Sequence, residues 1–475
     1  MNHETYKEHI TFRSMLVFMR HNNLEYRILA CASVLRGIMP LAVSGTIVSV
    51  SGLVVEIAGL SGQVFVGDQL LLYGRDGASV RAEVAGFRDG LAQALPFGAL
   101  DGLGPGQSAG LMPRTAGWLA VSDGWLGRVV DPLGRGMDGK GPVRVGPIPR
   151  PIAASPPEAT SRARLGDRVT LGVRALDLFT TCRLGQRLGL FSGSGVGKST
   201  LFAMLARAAV CDVAVIALVG ERGREVREFL EDDLGTEGLA RSVVIVATSD
   251  APPVLRRRAA FTAMTVAEHF RDQGKSVLFM MDSVTRFCLA AREIGLSAGE
   301  PPSTRGYPPS VFAELPRLLE RAGPGEDKGP GATGFITALF TVLVEGDDTN
   351  EPVADAVRGI LDGHVLLDRR IAEGGRYPPV DVLRSLSRAA QGCLTEEEMG
   401  LTRRARGIVA LQQEMADLVR MGAYRAGTDP AVDEALTLGP RIEALLRQDR
   451  AEQTGLEAAF QLLREVLAAE GAVHG

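Results

Sequence analysis

Apolar and polar positions change rhythm twice along the chain. Between Ala42 and about Leu111, short apolar runs alternate with glycine turns. Examples are Gly45-Thr-Ile-Val-Ser-Val-Ser-Gly52, Leu53-Val-Val-Glu-Ile57, Val66-Gly-Asp-Gln-Leu-Leu-Leu-Tyr73 and Ala82-Glu-Val-Ala-Gly-Phe87. Period-two alternation with closely spaced turns predicts a small all-β unit, a barrel. After Leu171 the apolar runs Leu188–Ser192, Val213–Val219, Val243–Thr248, Val277–Asp282 and Phe335–Val344 alternate with helical stretches. That order predicts a parallel sheet covered by helices on both faces. From about Ala389 glycine thins out, and Arg403–Arg420 and Arg441–Ala468 read as amphipathic helices. Val145–Pro157 carries five prolines in thirteen residues and reads as an extended connector. Gly323-Pro-Gly-Glu-Asp-Lys-Gly-Pro-Gly331 reads as a mobile loop.

Composition narrows the class. A length of 475 residues suggests about three domains, and 45% hydrophobic with 23% charged residues is ordinary for a chain that buries a core. Lys and Arg number 52 against 56 Asp and Glu, a net charge of −4, so no basic excess points to nucleic acid. Cys31, Cys182, Cys211, Cys288 and Cys393 are odd in number, far apart and form no CxxC pair. That excludes a disulfide framework, disfavours structural zinc and reads as reduced cytosolic thiols. No apolar stretch is long enough for a signal-peptide core or a membrane span. The first 20 or so residues (Phe12, Met15, Leu16, Met19) can form an amphipathic helix that docks on a partner, or a frayed tail.

The densest chemistry lies in Leu188-Gly-Leu-Phe-Ser-Gly-Ser-Gly-Val-Gly-Lys-Ser-Thr-Leu201, a strand running through a glycine loop into a helix over Thr200–Val210. Gly193, Gly195 and Gly197 permit the torsions that turn backbone N–H groups around phosphate oxygens, together with Ser194 and Val196 between them. The helix start adds its positive dipole end. Lys198 can reach the β- and γ-phosphates and the Ser199 hydroxyl can ligate Mg²⁺, with Thr200 next along the helix. One departure stands out: the full phosphate-loop pattern has glycine at position 192, and this chain has Ser192. Asp282 ends a buried-strand run and, at the C-terminal edge of a parallel sheet, would face the crevice and hold Mg²⁺. Glu221 follows another apolar strand, where a carboxylate can orient and polarise water, which makes the reaction hydrolysis.

Together with these, Gly220-Glu-Arg222, Asp282-Ser-Val-Thr-Arg-Phe287 and Tyr377-Pro-Pro-Val-Asp-Val-Leu-Arg-Ser-Leu-Ser-Arg388 resemble the catalytic chains of rotary ATPases. More narrowly, the chain resembles the type III secretion ATPases of the bacterial flagellum. That match rests on Ser192–Ser199, Arg305-Gly-Tyr-Pro-Pro-Ser310, Val344-Glu-Gly-Asp-Asp-Thr-Asn-Glu-Pro-Val-Ala-Asp355 and Asp362-Gly-His364. The resemblance implies an extension over residues 1–24, a β-barrel over 25–112, a RecA-like α/β ATPase domain over 113–388 and an all-α domain over 389–475. It implies ATP and Mg²⁺, with Lys198 and Ser199 on phosphate and metal, Glu221 activating water and Asp282 supporting the metal. By the same resemblance Arg222 and Arg286 help hold phosphate or the domain interface, and Tyr377 packs on adenine. Arg388 matches the arginine finger that a neighbouring subunit inserts into the site.

The partners implied are further copies in a homohexamer, export chaperones and substrates, and a membrane export gate beside which the ATPase sits on the cytoplasmic side. Leu296-Ser-Ala-Gly-Glu-Pro-Pro-Ser-Thr-Arg-Gly306 is expected to line the ring's hole and touch a coiled-coil stalk, and Met1–Arg20 to bind a negative regulator. The alternatives are a virulence type III ATPase, the catalytic subunit of an ATP synthase, and an RNA-translocating hexameric helicase. The helicase needs a barrel with basic and aromatic stacking residues, and Ala42–Leu111 has few of either.

Overall fold

The computed structural model describes residues 43–329, 331–344 and 351–468. The expected N-terminal helix, the start of the expected barrel domain, residues 345–350 of the Val344–Asp355 motif and residues 469–475 lie outside them. The chain divides into two compact units. One comprises residues 43–50, 55–94 and 101–112; the other comprises 51–54, 95–100 and everything from Pro113 onward.

The first unit is a closed six-stranded barrel. Around it run Ser44–Ser51, Val54–Ala58, Leu91–Pro96, Ser79–Arg88, Gln69–Tyr73 and Ser108–Leu111, the last pairing back on the first. Alternation supplies the interior: Leu70 and Leu72 are buried, as are Ala82 and Val84. Closure leaves no strand edge unpaired. The strands Leu91–Pro96 and Ser108–Leu111 go beyond the runs read from the sequence.

In the second unit, the sheet path runs Leu386–Ser387, Gly363–Leu367, Arg187–Ser192, Phe335–Leu343, Ser276–Asp282, Val213–Glu221, Ser242–Thr248 and Arg128–Val130. All neighbours on this path are parallel except Leu386–Ser387. Every residue of Val213–Glu221 is buried, because helices cover both faces. Its side chains alternate between two cores. Ala214, Ile216 and Leu218 join the core of the helix Lys198–Ala208, while Val213, Val215, Ala217 and Val219 join that of the helix Pro253–Arg271.

The C-terminal helices Glu396–Arg420, Pro430–Leu446 and Leu456–Ala468 bury Ile408, Leu438, Ile442 and Leu463 in the first of these cores. Thr395 and Glu398 form a reciprocal capping box, which starts the first helix earlier than apolar periodicity alone shows. The single amphipathic stretch expected over Arg441–Ala468 is two helices, separated by polar residues 447–455. The expected mobile loop also needs correction: Gly323 and Pro324 pair antiparallel with Ile336 and Phe335 and are buried. Among the described residues no helix is long and apolar enough to cross a membrane.

The connector is tied down by charge. Arg321 is fully buried and donates to Glu268 at 2.9 and 2.6 Å, to Ile152 O at 2.7 Å and to Thr265 Oγ1 at 3.0 Å. Removing one member of such a pair strands a buried charge. Glu268→Ala is therefore expected to cost about 3–5 kcal/mol, read as a lower urea midpoint of the nucleotide-binding unit, while the paired apolar change Glu268→Leu with Arg321→Met costs far less. Equal losses in the two variants would contradict this account.

Candidate active site

Parallel pairing brings the C-terminal strand ends to one edge. Ser192 pairs with Leu343 and Leu367, and Leu218 with Asp282, so Ser192, Asp282 and Glu221 meet there although 90 residues separate the first from the second. This is the edge at which open α/β sheets bind ligands.

The loop Gly193–Gly197 delivers Lys198 as the first residue of its helix. Its left-handed torsions fall at Gly195 (φ 76°) and Gly197 (φ 109°), conformations costly for any residue with a Cβ. Val196 is buried in the core beneath and anchors the loop, while Ser194 and Ser199 are exposed and Thr200 is half-buried. Ser192 is the last residue of the buried strand, and its carbonyl accepts from Val344 N at 3.0 Å. Extended backbone needs no glycine, which explains why serine is accommodated there.

Lys198 Nζ donates to Asp282 Oδ1 and lies 3.7 Å from Glu221 Oε1. Thr341 Oγ1 donates to the same Asp282 oxygen at 2.7 Å. Glu221 is aimed by a bulge: the register shifts between Val219 and Glu221, where Gly220 takes φ 72°. A Cβ on Gly220 would stand 3.0 Å from Arg286 Cδ, so glycine also admits the arginine whose Nε lies 3.1 Å from Glu221 Oε1. Burial, with the Asp282 charge adding to it, pushes the Glu221 carboxyl up to about 7, against the pull of Lys198 and Arg286. Oε1 is buried and accepts no aligned hydrogen bond, its nearest cations being Arg286 and Lys198. Ser199, Glu221 and Asp282 line one cleft of about 240 Å³ together with Phe202 and Phe229.

Three family models match successive parts of the chain. The ATP synthase alpha/beta family beta-barrel domain matches residues 47–109, its nucleotide-binding domain matches 172–387, and the T3SS EscN ATPase C-terminal domain matches 394–465. The flagellum-specific ATP synthase of Caulobacter vibrioides is 50% identical over 440 residues, 91% of this chain and 98% of its own. The chain belongs to the type III secretion ATPases of the ATP synthase alpha/beta family. It is an ATP-hydrolysing enzyme of type III protein export. The assembled ATPase EscN from the enteropathogenic E. coli type III secretion system matches at TM-score 0.83 and 39% identity, over 89% of this chain and 100% of its own. EscN in complex with its central stalk EscO matches at TM-score 0.81 and 39% identity, with the same coverage.

In this ATPase the remaining sequence candidates separate. A Cβ on Gly197 would lie 3.4 Å from Tyr377 Cε1, so the tyrosine ring, 44% exposed, stands against the glycine loop. Arg286 is at the site. Arg222 is not: its exposed side chain pairs with Glu225 at 3.2 Å. Arg388 is exposed, and its N–H donates to Asp362 O at 3.0 Å beside the start of Gly363–Leu367. That is the opposite end of the sheet, roughly 17 Å of strand from the edge where Leu367 meets Ser192. Two participants went unread. Thr341 is one of two hydroxyls in an apolar run, with Thr337, which is a usable signal; Arg369, which donates to Ser194 O at 3.0 Å, carried none.

Ser199 and Asp282 fit Mg²⁺ as hard oxygen donors, and two protein ligands suit an ion that otherwise keeps water and substrate oxygens. The raised Glu221 carboxyl has its own signature. Burial also raises the Asp177 carboxyl to about 7, so difference infrared spectra of the nucleotide-free protein should show carboxyl groups losing protons near pH 7, with one of these contributions missing in Glu221→Gln. A spectrum in which every carboxyl has titrated by pH 5 would rule out the burial argument.

Proposed function

We propose that this ATPase cleaves ATP in pockets shared by adjacent copies of a homohexameric ring and so energises flagellar protein export. The 50% identity to the flagellum-specific ATP synthase of Caulobacter vibrioides, across 98% of that protein, carries the flagellar reading. Virulence-type secretion is the second reading, favoured by the match to EscN.

The glycine loop and the helix start take the phosphates, and Lys198 takes the β- and γ-oxygens. Without nucleotide, Lys198 neutralises Asp282; a bound triphosphate offers that ammonium a new anionic partner and releases the carboxylate. Ser199 and Asp282 would hold Mg²⁺, which would supply charge neutralisation at the phosphate oxygens. Thr341 keeps Asp282 oriented. Glu221 orients the attacking water and takes its proton, and Arg286 stabilises the carboxylate form. Tyr377 offers its exposed ring to adenine. Arg222, turned outward to Glu225, meets the neighbouring copy. Arg388 stands too far from its own loop to act there and completes the neighbour's site, where a guanidinium fork meets the charge that builds on the γ-phosphate.

The Leu296–Gly306 loop, exposed over most of its length, takes a central stalk, a reading supported by the EscN complex with EscO. Chaperones, exported substrates and the membrane gate complete the partner set on the cytoplasmic side, and Met1–Arg20 takes a negative regulator. Nucleic acid is no partner, so added RNA leaves the ATPase rate unchanged.

Arg388→Ala should lose about 10³-fold or more in turnover. Mixed with Lys198→Ala, it should recover activity that neither variant has alone, because one supplies the loop and the other the arginine. A mixture as dead as its components would remove the shared pocket. In the source bacterium, deletion should abolish motility and release of filament protein, restored by the parent chain and not by Glu221→Gln. Intact motility with loss of effector secretion would select the second reading.

A further inference from the structure

Residues 447–455, between the last two helices, form no regular element, yet buried side chains fasten them from several directions. Arg174 is 7% exposed and donates to Leu445 O at 2.7 Å, Arg447 O at 2.6 Å and Thr454 Oγ1 at 3.0 Å. Its guanidinium also pairs with the Glu452 carboxylate, and its backbone N–H donates to Gln448 Oε1 at 2.8 Å. Gln448, 3% exposed, donates in turn through Nε2 to Gly172 O at 2.8 Å and Glu452 O at 3.0 Å. The strap is thereby held at both ends and in its middle.

What it holds is the residue beside the glycine loop. The backbone N–H of Gln448 donates to Tyr377 O at 2.9 Å. Arg376, the preceding residue and 4% exposed, pairs with Glu443 at 2.6 Å, just before the strap. On the other side, Arg207 from the glycine-loop helix donates to Arg450 O at 2.6 Å, and Arg450 pairs with Asp233. The triphosphate end of the site is built by Gly193–Gly197, Lys198, Glu221 and Asp282. The strap meets the site through Tyr377, whose exposed ring flanks Gly197.

We propose that Arg174 is a positioning residue for nucleotide-base binding: by clamping the strap it fixes Gln448, and through the Gln448 N–H it fixes Tyr377. This rests on the reading of Tyr377 as the base platform. A side chain that merely stabilised the fold would weaken every ligand alike. One that acts through Tyr377 weakens ligands that carry a base and spares those that do not.

Calorimetric titration of the full-length protein with Mg-ADP and with Mg-tripolyphosphate separates the two. Arg174→Lys, which keeps the charge but not the fork, should weaken ADP about tenfold and leave tripolyphosphate within about twofold, with KM for ATP raised and kcat largely kept. Glu452→Gln, a half-exposed partner of Arg174 that threatens the fold less, should move ADP the same way by about threefold and carries the test if Arg174→Lys fails to fold. Equal losses for both ligands overturn the inference. So does unchanged ADP affinity in these variants while Tyr377→Ala weakens ADP. If Tyr377→Ala itself leaves ADP affinity unaltered, the platform reading falls instead.

Discussion

One ammonium between two carboxylates organises the nucleotide unit. Lys198 arrives at the start of a helix, whereas Asp282 and Glu221 arrive at the ends of two different strands. Each of these side chains is mostly buried, and a buried carboxylate without a cation would be costly. The sheet must therefore bring three strand ends level, the loop must turn through left-handed glycines, and the bulge at Gly220 must point Glu221 inward. Burial, with the Asp282 charge adding to it, keeps the Glu221 carboxyl raised against the pull of Lys198 and Arg286. Arg286 and the Thr341 hydroxyl restrain the pair without cancelling it.

The same arrangement ties the site to the helical end of the chain. The three C-terminal helices do not pack on each other alone; their apolar faces continue the core beneath the glycine-loop helix. Apolar contact of this kind is strong but unspecific about position. Directional bonds set the position: the Arg174 fork, the Gln448 amide and the Arg207 contact to Arg450 O. Dispersion and hydration hold the layers together while a few buried hydrogen bonds choose their alignment.

Legibility varied with the kind of physics involved. Five sheet strands were plain because strands buried on both faces are uninterrupted apolar runs. The outer strands Arg128–Val130 and Gly363–Leu367 are short and were not separable from loops. The second C-terminal helix pair read as one element because amphipathic periodicity persists on either side of the strap, and the strap's structure comes from long-range side-chain bonds. At the site, Lys198, Ser199 and Asp282 follow from local pattern. Arg222 reads the same as Arg286, each an arginine shortly after an acid at a strand end. Only the fold turns one outward to Glu225 and the other toward Glu221.

By itself, the chain's order of residues determined the all-β start, the helix-covered parallel sheet, the phosphate loop and the two acids, since each is a short-range matter of period, turn torsion or helix start. Tertiary structure alone decided what those pieces do to one another. Strand order put Thr341 on Asp282, a bulge set Glu221 beside Arg286, and antiparallel return of Leu386–Ser387 carried Arg388 to the far end of the sheet. Such outcomes depend on distances between residues remote in the chain, and no local periodicity encodes a distance.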